Sequence, residues 1–430
     1  MSDHSEGPGP THQRAIYIDG VSGVRPAAPV RAAELERLAE RAMTPRAWAY
    51  VAGGAGMEST LRANRDAFDK WKIVPRMLRD TTRRDLSVEL FGQTFSSPLM
   101  LAPIGALGVV CRDADLLVAR AAAAEGVPMI FSNQAGVPME QCAAAMGSTP
   151  RWFQLYWNTS NDVVASFVRR AEQCGCSAIV LTLDTTRLGW RARDLDFAHL
   201  PFQRGEGIAQ YTSDPVFRST LKDVRADAAQ KPKTSLASLG ALISIVTRGR
   251  RAGLSAGESV AAVRQFIATA SRPSLTWADL PFLRSITKLP IVLKGIQHPD
   301  DARRAADEGI NGIVVSNHGG RQVDGAIGSL DALPEIVRAV GDRMPVLFDS
   351  GIRSGADAFK ALALGARAVF LGRPFAFGLA VAGERGVREV IRHVLAELDV
   401  TLGLAGQVKV RDVSQDALFH AASAGERLDT

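Results

Sequence analysis

The sequence of 430 residues predicts an α/β fold, a (β/α)8 TIM barrel with an N-terminal helical cap and a long insertion after the fourth strand. Three observations support this prediction. Eight short apolar runs lie between residues 98 and 374, helix-like segments alternate with them, and each run ends in polar or glycine residues. Near-continuous apolar runs of this length are typical of parallel strands covered on both faces, and eight such strands close into a barrel.

The predicted strands follow in chain order, each named by its letters and first residue. They are PLMLAPIG from Pro98, PMIFSN from Pro128, RWFQLY from Arg151, AIVLTLD from Ala178, PIVLKG from Pro290, GIVVSNHG from Gly312, PVLFDSG from Pro345 and AVFLGRP from Ala368. Active sites of such barrels lie at the carboxyl ends of the strands. The candidates at those ends are Pro103, Ser132, Gln154, Tyr156, Thr182, Asp184, Lys294, Ser316, His318, Asp349, Gly372 and Arg373.

Three segments flank the barrel, which we place at residues 98–406. Residues 1–30 are rich in Gly, Pro and Ala, a composition that predicts an extended or mobile arm. Residues 31–97 are predicted to form the cap, because helical periodicity begins at Ala32 and leads into a glycine-rich turn at 53–56. Residues 407–430 form a C-terminal tail.

The insertion at 193–277 replaces the usual short crossover after strand four. Part of it, SLASLGALISIVTRG, is predicted to be helical. Long loops after barrel strands lie over the active-site mouth, so this insertion is a candidate lid or subunit contact. The alternative is a partly disordered insertion without catalytic importance.

Composition favours small anionic ligands over nucleic acid. The net charge is only +6, and the basic residues are scattered except for RGRRAG at Arg248, a pattern that fits a solvated surface. Neither a leader-like apolar segment nor a run near the ~18 apolar residues of a membrane helix is present. We therefore expect a cytoplasmic protein that binds neither nucleic acid nor membranes.

The four cysteines predict reduced thiols. Cys111, Cys142, Cys174 and Cys176 lack zinc-like pairing and the density of a secreted disulfide framework. This pattern agrees with the cytoplasm, and we expect no metal site.

The ends of strands seven and eight predict a phosphate site. Each of these ends carries glycine and one arginine, in DSGIRSGAD (349–357) and LGRP (371–374). They lie where such barrels commonly hold a phosphate. Gly351 and Gly355 allow backbone amides to approach the ligand, and Arg353 and Arg373 can pair with phosphate oxygens.

The end of strand six predicts a catalytic base. His318, in SNHGGRQVDG, shares the barrel mouth with Asp184, which could orient the imidazole and stabilise its cation. Arg191 and Arg321 could bind a carboxylate there.

Lys294, at the end of strand five, has two interpretations. It could be a Schiff-base nucleophile or a fixed cation that stabilises negative charge on a cofactor.

With these residues assembled, the chain resembles the FMN-dependent α-hydroxy-acid oxidising family from about Trp48 to about Gly406. The resemblance depends on SNHGGRQ at Ser316, FQLYW at Phe153, LTLDTTRLGWRARD at Leu181, KGIQHPDDA at Lys294 and FDSGIRSGADAFKALALGA at Phe348. Within this family it is most similar to lactate 2-monooxygenase, through GWRARD at Gly189 and the LPFQRG and QYTSDPVF elements of the insertion.

The resemblance implies roles for individual residues. His318 would accept the substrate proton and Asp184 would stabilise the imidazolium, while Tyr156 would reach the hydroxyl and Lys294 the flavin ring. The implied substrate-binding residues are Tyr50, Tyr156, Arg191, His318 and Arg321. The implied FMN-binding residues are Pro103, Ile104, Gly105, Ser132, Gln154, Thr182, Lys294, Ser316, Asp349, Ser350, Gly351, Arg353, Gly372 and Arg373.

Two positions depart from the pattern of many relatives. Gly105 stands where an alanine is common, so it would leave more room beside the flavin. Ser350 replaces a frequent glycine, and its side chain must be accommodated near the cofactor.

The resemblance implies FMN-dependent oxidation of a small L-2-hydroxy acid with O2, and specifically a lactate 2-monooxygenase that converts L-lactate to acetate, CO2 and water. An oxidase that releases the 2-oxo acid and H2O2 is the alternative, and a dehydrogenase that passes electrons to a quinone or cytochrome is a third. A flavin-free, phosphate-binding Schiff-base lyase that uses Lys294 represents another class, and a non-catalytic binding protein represents a further one. The family also implies a homo-oligomer, a tetramer or larger.

Overall fold

The computed structural model describes residues 7–223 and 233–421. The N-terminal region contains four helices and three short strands. They are α1 (Pro8–Val21), α2 (Ala32–Ala42), α3 (Pro45–Ala52), α4 (Ser59–Asp69), β1 (Trp71–Ile73), β2 (Val88–Leu90) and β3 (Gln93–Phe95).

The expectation of an extended arm over residues 1–30 is wrong for the first helix. Helix α1 begins with Pro8 in its first turn, where a missing N–H costs nothing, and Asp399 Oδ2 accepts a hydrogen bond of 2.9 Å from Gly9 N. The proline and glycines that suggested an arm thus occupy the start of a helix. Residues 1–6 of the expected arm lie outside the described residues.

Eight parallel strands form a closed barrel, as the sequence predicts. They are β4 (Leu99–Leu101), β5 (Met129–Phe131), β6 (Arg151–Leu155), β7 (Ile179–Thr182), β8 (Ile291–Ile296), β9 (Gly312–Val315), β10 (Val346–Phe348) and β11 (Ala368–Leu371). Each pairs with the next in chain order, and β11 pairs with β4 to close the barrel. Almost every strand residue is buried, because helices cover one face and barrel side chains the other.

The hairpin of β2 and β3 covers the amino end of the barrel. Phe91 and Phe95 pack on Trp152 of β6, with ring centroids 5.6 and 6.3 Å apart. Phe91 also lies against Gly312 at the start of β9. With its amino end filled by aromatic side chains, the barrel opens at the carboxyl ends of its strands.

Three helices follow the first three barrel strands: α5 (Ala114–Glu125), α6 (Met139–Met146) and α7 (Asn161–Gln173). The insertion then contributes α8 (Ala192–Asp196), α9 (Ala209–Thr212), α10 (Pro215–Ser219), α11 (Leu236–Arg251) and α12 (Ala256–Thr269), and α13 (Leu280–Ile286) leads into β8. The helix predicted from SLASLGALISIVTRG is confirmed as α11.

The insertion is packed against the barrel mouth before residue 224 and after residue 232, where Ser271 Oγ donates to Thr185 O at 3.0 Å and to Thr186 O at 2.8 Å. Asn133 Oδ1, after β5, accepts a hydrogen bond of 2.9 Å from the buried Tyr211 hydroxyl, and Ala209 N donates to Ala135 O. The described part is therefore structured, and the alternative of a disordered insertion does not hold for it. Residues 224–232 of the insertion lie outside the described residues.

The second half of the barrel carries α14 (Pro299–Asp307), α15 (Ser329–Val340), α16 (Gly355–Ala363) and α17 (Arg373–Leu404), the last bent at Ala382 and Gly383. The predicted tail contains a strand, β12 (Leu418–His420), which pairs antiparallel with β1. Among residues 7–223 and 233–421, no helix combines the length and apolar character needed to cross a membrane.

Candidate active site

A cavity opens at the carboxyl ends of the barrel strands, with about 1090 Å³ of empty space that includes its open mouth. The sequence-predicted residues that line it are Tyr50, Pro103, Ile104, Gly105, Gln154, Tyr156, Thr182, Arg191, Lys294, His318, Arg321, Asp349, Ser350, Gly351, Arg353, Gly372 and Arg373. The structure thus brings together residues separated by more than three hundred positions in the chain.

Three predicted residues do not line this cavity. Asp184 lies behind His318 and contacts it directly. Ser132 donates to Gln154 Oε1 at 3.3 Å, and the Ser316 hydroxyl accepts from Lys294 Nζ at 2.8 Å. Each hydroxyl thus bonds to a cavity-lining side chain and holds it in place, and the contact of the two serines with FMN stays a prediction.

His318 and Asp184 form a hydrogen-bonded pair. The distance from His318 Nδ1 to Asp184 Oδ1 is 2.7 Å, and Thr185 Oγ1 donates to the same carboxylate oxygen at 2.9 Å. Because Nδ1 is engaged, Nε2 is the ring nitrogen available to take a proton from a ligand in the cavity. The pair has the geometry of a general base with a carboxylate that orients it.

Burial favours a neutral His318, and the neighbouring charges and hydrogen bonds favour an ionised Asp184 beside it. Burial lowers the pKa of His318 below its usual 6.5, and it outweighs the opposing effect of Asp184. Burial also opposes ionisation of Asp184, but the charges of His318 and Lys294 and hydrogen bonds from His318 and Thr185 hold its pKa at about 2. At neutral pH the imidazole is therefore ready to accept a proton.

The His318 loop is held in an unusual backbone conformation. His318 has φ of 59°, a left-handed value that is uncommon outside glycine, and Gly319 and Gly320 follow with 64° and 73°. Asn317 and Asn64 of α4 exchange side-chain amide hydrogen bonds of 2.8 and 2.7 Å. The cap thus fixes the residue before the base, which offsets the backbone strain.

A pH profile should follow from the pKa of His318. Since the base must be unprotonated, the rate of flavin reduction by substrate should fall as pH decreases through an inflection below pH 6.5 and should be level above it. Rapid-mixing measurements without oxygen, over a range of pH, would detect this limb. A limb centred above pH 7 would contradict the assignment of this histidine as the base.

Lys294 is held as a cation. Its Nζ lies 3.0 Å from Asp349 Oδ2 and donates to Ser316 Oγ. Burial alone would lower the pKa of this lysine, but the Asp349 and Asp184 carboxylates outweigh it and raise the pKa. A Schiff-base nucleophile requires a neutral amine, so the fixed-cation interpretation is favoured over the lyase.

Arg191 and Arg321 place two cations beside His318. Arg321 Nη1 donates to Tyr50 O at 2.6 Å, and its guanidinium lies 5.1 Å from the Tyr50 ring centroid. Burial and the neighbouring Arg191 lower the pKa of Arg321 to about 10. In the described parts of the chain neither arginine forms a salt bridge, so this corner of the cavity is suited to a carboxylate ligand.

Gln322 connects the two loops that carry these groups. Its Oε1 accepts from Arg191 Nη2 at 3.1 Å, and its Nε2 donates to Asp184 O at 2.8 Å and Arg187 O at 3.0 Å. Sequence reasoning missed this residue, although its place directly after Arg321 could have suggested it.

Arg353 and Arg373 form a second cationic region in the cavity wall, adjoining the first, since Arg373 and Arg321 both donate to Gly53 O. The Arg373 guanidinium donates to Val51 O, Gly319 O and Gly53 O at 2.9–3.1 Å, so backbone carbonyls hold it without neutralising it. Burial and the charges of Arg321 and Arg353 lower the pKa of Arg373 well below its usual value. An anion here would relieve this repulsion, as expected for a phosphate site.

Ser350 fits beside this region at a conformational cost. Its φ is 80°, which explains why glycine is frequent at this position, while its hydroxyl donates to Asp349 Oδ1 at 2.7 Å and accepts from Gly319 N at 2.9 Å. These bonds tie the loop after β10 to the loop after β9.

The cavity fits FMN. The side-chain atoms Gln154 Nε2 and Thr182 Oγ1 are buried without a hydrogen-bond partner within the described residues, and both residues line the cavity. Buried polar atoms of this kind are rarely left unpaired, so they indicate a polar ligand such as the flavin ring. The unneutralised Arg353 and Arg373 fit its phosphate.

Replacing Arg373 with Gln should weaken FMN binding about tenfold to a hundredfold, because charge-assisted hydrogen bonds to the phosphate are lost. Flavin fluorescence during titration of the apoprotein would measure this, and the wild-type protein should purify yellow. Arg367→Gln is a matched control, since Arg367 is exposed at the opposite end of the same strand, β11. Equal FMN affinity in the two variants would contradict the phosphate assignment.

Several other residues that line the cavity were missed by sequence reasoning. They are Val51, Ala102, Gln134, Thr185, Leu188, Phe202, Gly319, Ile352 and Phe370. Thr185 directly follows Asp184 and could have been found as a hydroxyl at a strand end. Phe202 lies in the LPFQRG element of the insertion, which the sequence analysis singles out without assigning this side chain to the cavity.

The chain is similar to known FMN-dependent enzymes. The profile of the FMN-dependent dehydrogenase family matches residues 39–420. The chain is 42% identical over 417 residues to an FMN-dependent alpha-hydroxy acid dehydrogenase of Penicillium citrinum, covering 97% of both chains. It is 41% identical to an L-lactate oxidase of Lysinibacillus sphaericus, covering 89% of this chain and 90% of the other.

Solved structures agree as well. A crystal structure of mandelate oxidase with (S)-4-hydroxymandelic acid superimposes with a TM-score of 0.75 at 36% identity, covering 91% of this chain and 98% of the other.

Proposed function

Because the chain belongs to the FMN-dependent dehydrogenase family and carries out FMN-dependent oxidation of an α-hydroxy acid, we propose that its substrate is L-lactate and its reaction that of a lactate 2-monooxygenase. The observation that carries the proposal is the His318–Asp184 pair beside two unneutralised arginines in one cavity. L-lactate carries a carboxylate that the two arginines can bind. Next to it, on one carbon, it carries a hydroxyl and a hydrogen that the histidine pair can act on.

The residues act on the substrate in a defined arrangement. Arg191 and Arg321 hold the carboxylate, and Tyr50 from α3 closes the same side, with its hydroxyl 3.3 Å from Gly105 O. Tyr156, buried and with its pKa raised by burial and by Asp184, keeps its proton and can donate to the substrate oxygen. His318 takes the proton of the substrate at Nε2, and Asp184 stabilises the resulting cation.

Bound FMN supplies the acceptor for the two electrons that leave the substrate. Lys294 contributes a fixed positive charge in the cavity wall, supported by Asp349 and Ser316. A preorganised cation of this kind stabilises developing negative charge without reorganisation.

The position of the insertion supports the monooxygenase outcome. Phe202 lies in the cavity wall and is 6% exposed, and Gly207 is so close to Gln134 O and Ala106 that a Cβ there would lie 2.8–3.0 Å from them. Glu206 pairs with Arg248 of α11 across the insertion. A mouth packed in this way retains pyruvate beside the hydrogen peroxide formed with it, and the two react to give acetate, CO2 and water.

An L-lactate oxidase is the second candidate, favoured by relatives that bear this name, among them those of Lysinibacillus sphaericus and of a Nostoc species. It shares every catalytic residue with the monooxygenase and differs only in releasing pyruvate and peroxide before they react.

Product analysis in air and without oxygen separates the two candidates. The wild-type enzyme should convert L-lactate mainly to acetate in air, and to pyruvate when an artificial electron acceptor replaces oxygen. The Phe202→Ala variant should open the mouth and shift aerobic products towards free pyruvate and peroxide. Quantifying acetate, pyruvate and peroxide in each case tests this.

Phe197→Ala is the matched control, because Phe197 belongs to the same insertion but is 42% exposed and does not line the cavity. It should leave the product ratio unchanged. Stoichiometric peroxide from the wild-type enzyme in air would rule out the monooxygenase and establish the oxidase.

We also propose that O2 is the acceptor, that the protein is a homo-oligomer, a tetramer or larger, and that it acts in the cytoplasm. The exposed apolar side chains Leu188, Trp190 and Leu195 near the mouth support a subunit interface. All four cysteines are free, which agrees with a reducing compartment.

A further inference from the structure

Two helices that are distant in sequence bring His12, Glu389 and His393 together outside the active-site cavity. His12 lies on α1, and the other two lie on α17. One nitrogen of each histidine and one oxygen of the carboxylate lie within 4.8 Å of one another. His12 Nε2 is 2.9 Å from His393 Nδ1.

The hydrogen bonds define which nitrogen of His393 faces the cluster. Its Nε2 lies 3.0 Å from Ala28 O, and a carbonyl can only accept, so Nε2 carries the proton. Nδ1 therefore presents a lone pair towards His12. A backbone carbonyl that fixes the histidine tautomer in this way is the usual outer support of a metal-binding imidazole.

Glu389 completes the set on the same face of α17. It precedes His393 by four residues, the spacing that places two side chains next to each other on a helix. Its Oε2 lies 3.8 Å from the protonated Nε2 of His393, so the carboxylate must turn towards Nδ1 to share an ion with it, and its side chain is 19% exposed. The cluster is thus anchored by the buried His393 and accessible from solution through the half-buried His12 and Glu389.

We propose that His12, Glu389 and His393 bind a divalent transition-metal ion of the zinc class, with solvent in the remaining position. Two imidazoles and one carboxylate are a donor set that such ions prefer. Two nitrogens bound to a tetrahedral zinc lie about 3.3 Å apart, given bonds of about 2.0–2.1 Å. His12 Nε2 and His393 Nδ1, which are 2.9 Å apart, would therefore move apart only slightly when the ion takes the place of the proton between them.

The neighbouring charges are compatible with a cation. Arg388 and Arg392 lie close by on α17, and both donate to Glu125 at 2.8 Å. Arg392 Nη1 is 3.9 Å from Glu389 Oε1, which leaves Oε2 as the carboxylate oxygen nearer the histidines. The negative charges of Glu125 and Glu389 therefore balance the positive charges of Arg388 and Arg392, so these arginines do not leave a net positive charge that would repel an ion.

The ion would fasten α1 to the barrel. Gly9 is the only buried residue of this helix. The hydrogen bond from its backbone N–H to Asp399 lies at the N-terminal end of the helix, far from Val21. A metal bond from His12 to α17 would replace the hydrogen bond between His12 and His393 with a stronger attachment. Sequence reasoning could not expect the site, because its two histidines are 381 positions apart and lie on helices, away from the strand ends that the barrel topology brings together.

Titration of the metal-free holoenzyme with Zn2+ tests the proposal. Isothermal titration calorimetry on protein produced without a histidine tag should show one Zn2+ bound per chain. The ion should raise the melting temperature and slow hydrogen exchange of α1. His12→Ala and His393→Ala should each lower the affinity at least tenfold, and Glu389→Gln should lower it less.

His298→Ala is the matched control, since it removes a histidine that is exposed and lies on another face of the barrel. It should bind Zn2+ like the wild type. FMN content shows that each variant is folded, and His12→Ala, on the partly exposed α1, remains decisive if His393→Ala fails to fold. No stoichiometric binding, or binding that is unchanged in His12→Ala, would overturn the proposal.

Discussion

Replacing His318 with Gln should leave FMN bound and slow reduction of the flavin by L-lactate by about 10²- to 10⁴-fold, the range that a positioned base supplies. Gln preserves a polar side chain of similar length but cannot take the substrate proton. The bond from His318 Nδ1 to Asp184 at 2.7 Å shows that this ring is oriented as a base requires. Anaerobic rapid mixing, with flavin absorbance as the signal, measures the effect.

His298→Gln controls for the loss of a histidine, because this side chain is 66% exposed and lies outside the cavity. In this control variant, L-lactate should reduce the flavin at the wild-type rate. If the flavin of His318→Gln is also reduced at nearly the wild-type rate, another group removes the substrate proton and the proposed base is wrong.

Replacing Asp184 with Asn should also slow flavin reduction by about 10²-fold or more, because the imidazolium formed at His318 loses its stabilising charge. The negative charge of Asp184 also raises the pKa of His318, whereas burial lowers it. Its removal should therefore lower that pKa further and move the acid limb of the pH profile to lower pH. Rates measured across pH test the direction of this shift.

Asp301→Asn is a suitable control, because Asp301 is exposed on α14. It should change neither the rate nor the profile. An Asp184→Asn variant with reduced rate but an unchanged acid limb would show that Asp184 only supports the fold of the loop.

The fold could be predicted from the sequence because each barrel strand is buried on both faces. Strands such as β7, with four buried residues in Ile179–Thr182, leave an uninterrupted apolar run followed by polar residues. Since strand ends of a parallel barrel meet at one edge, the same runs located His318, Lys294 and Arg373 at the site.

What the sequence could not predict depends on tertiary packing. Helix α1 was expected to be an arm because its prolines and glycines suggest loops, and its contact with Asp399 is not visible from local sequence. Ser132 and Ser316 occupy strand ends as predicted, but only the side-chain positions show that they bond to Gln154 and Lys294. Phe202 reaches the cavity through a long insertion whose path the local pattern does not define.

The central claim is that this cavity binds an L-2-hydroxy acid and passes its electrons to FMN. Anaerobic mixing of the purified holoenzyme with L-lactate, and separately with D-lactate, tests it most directly. The proposed site predicts that L-lactate bleaches the flavin and forms one pyruvate per FMN, while D-lactate leaves the flavin oxidised. A flavin that stays oxidised with L-lactate and with larger L-2-hydroxy acids such as (S)-mandelate would contradict the claim.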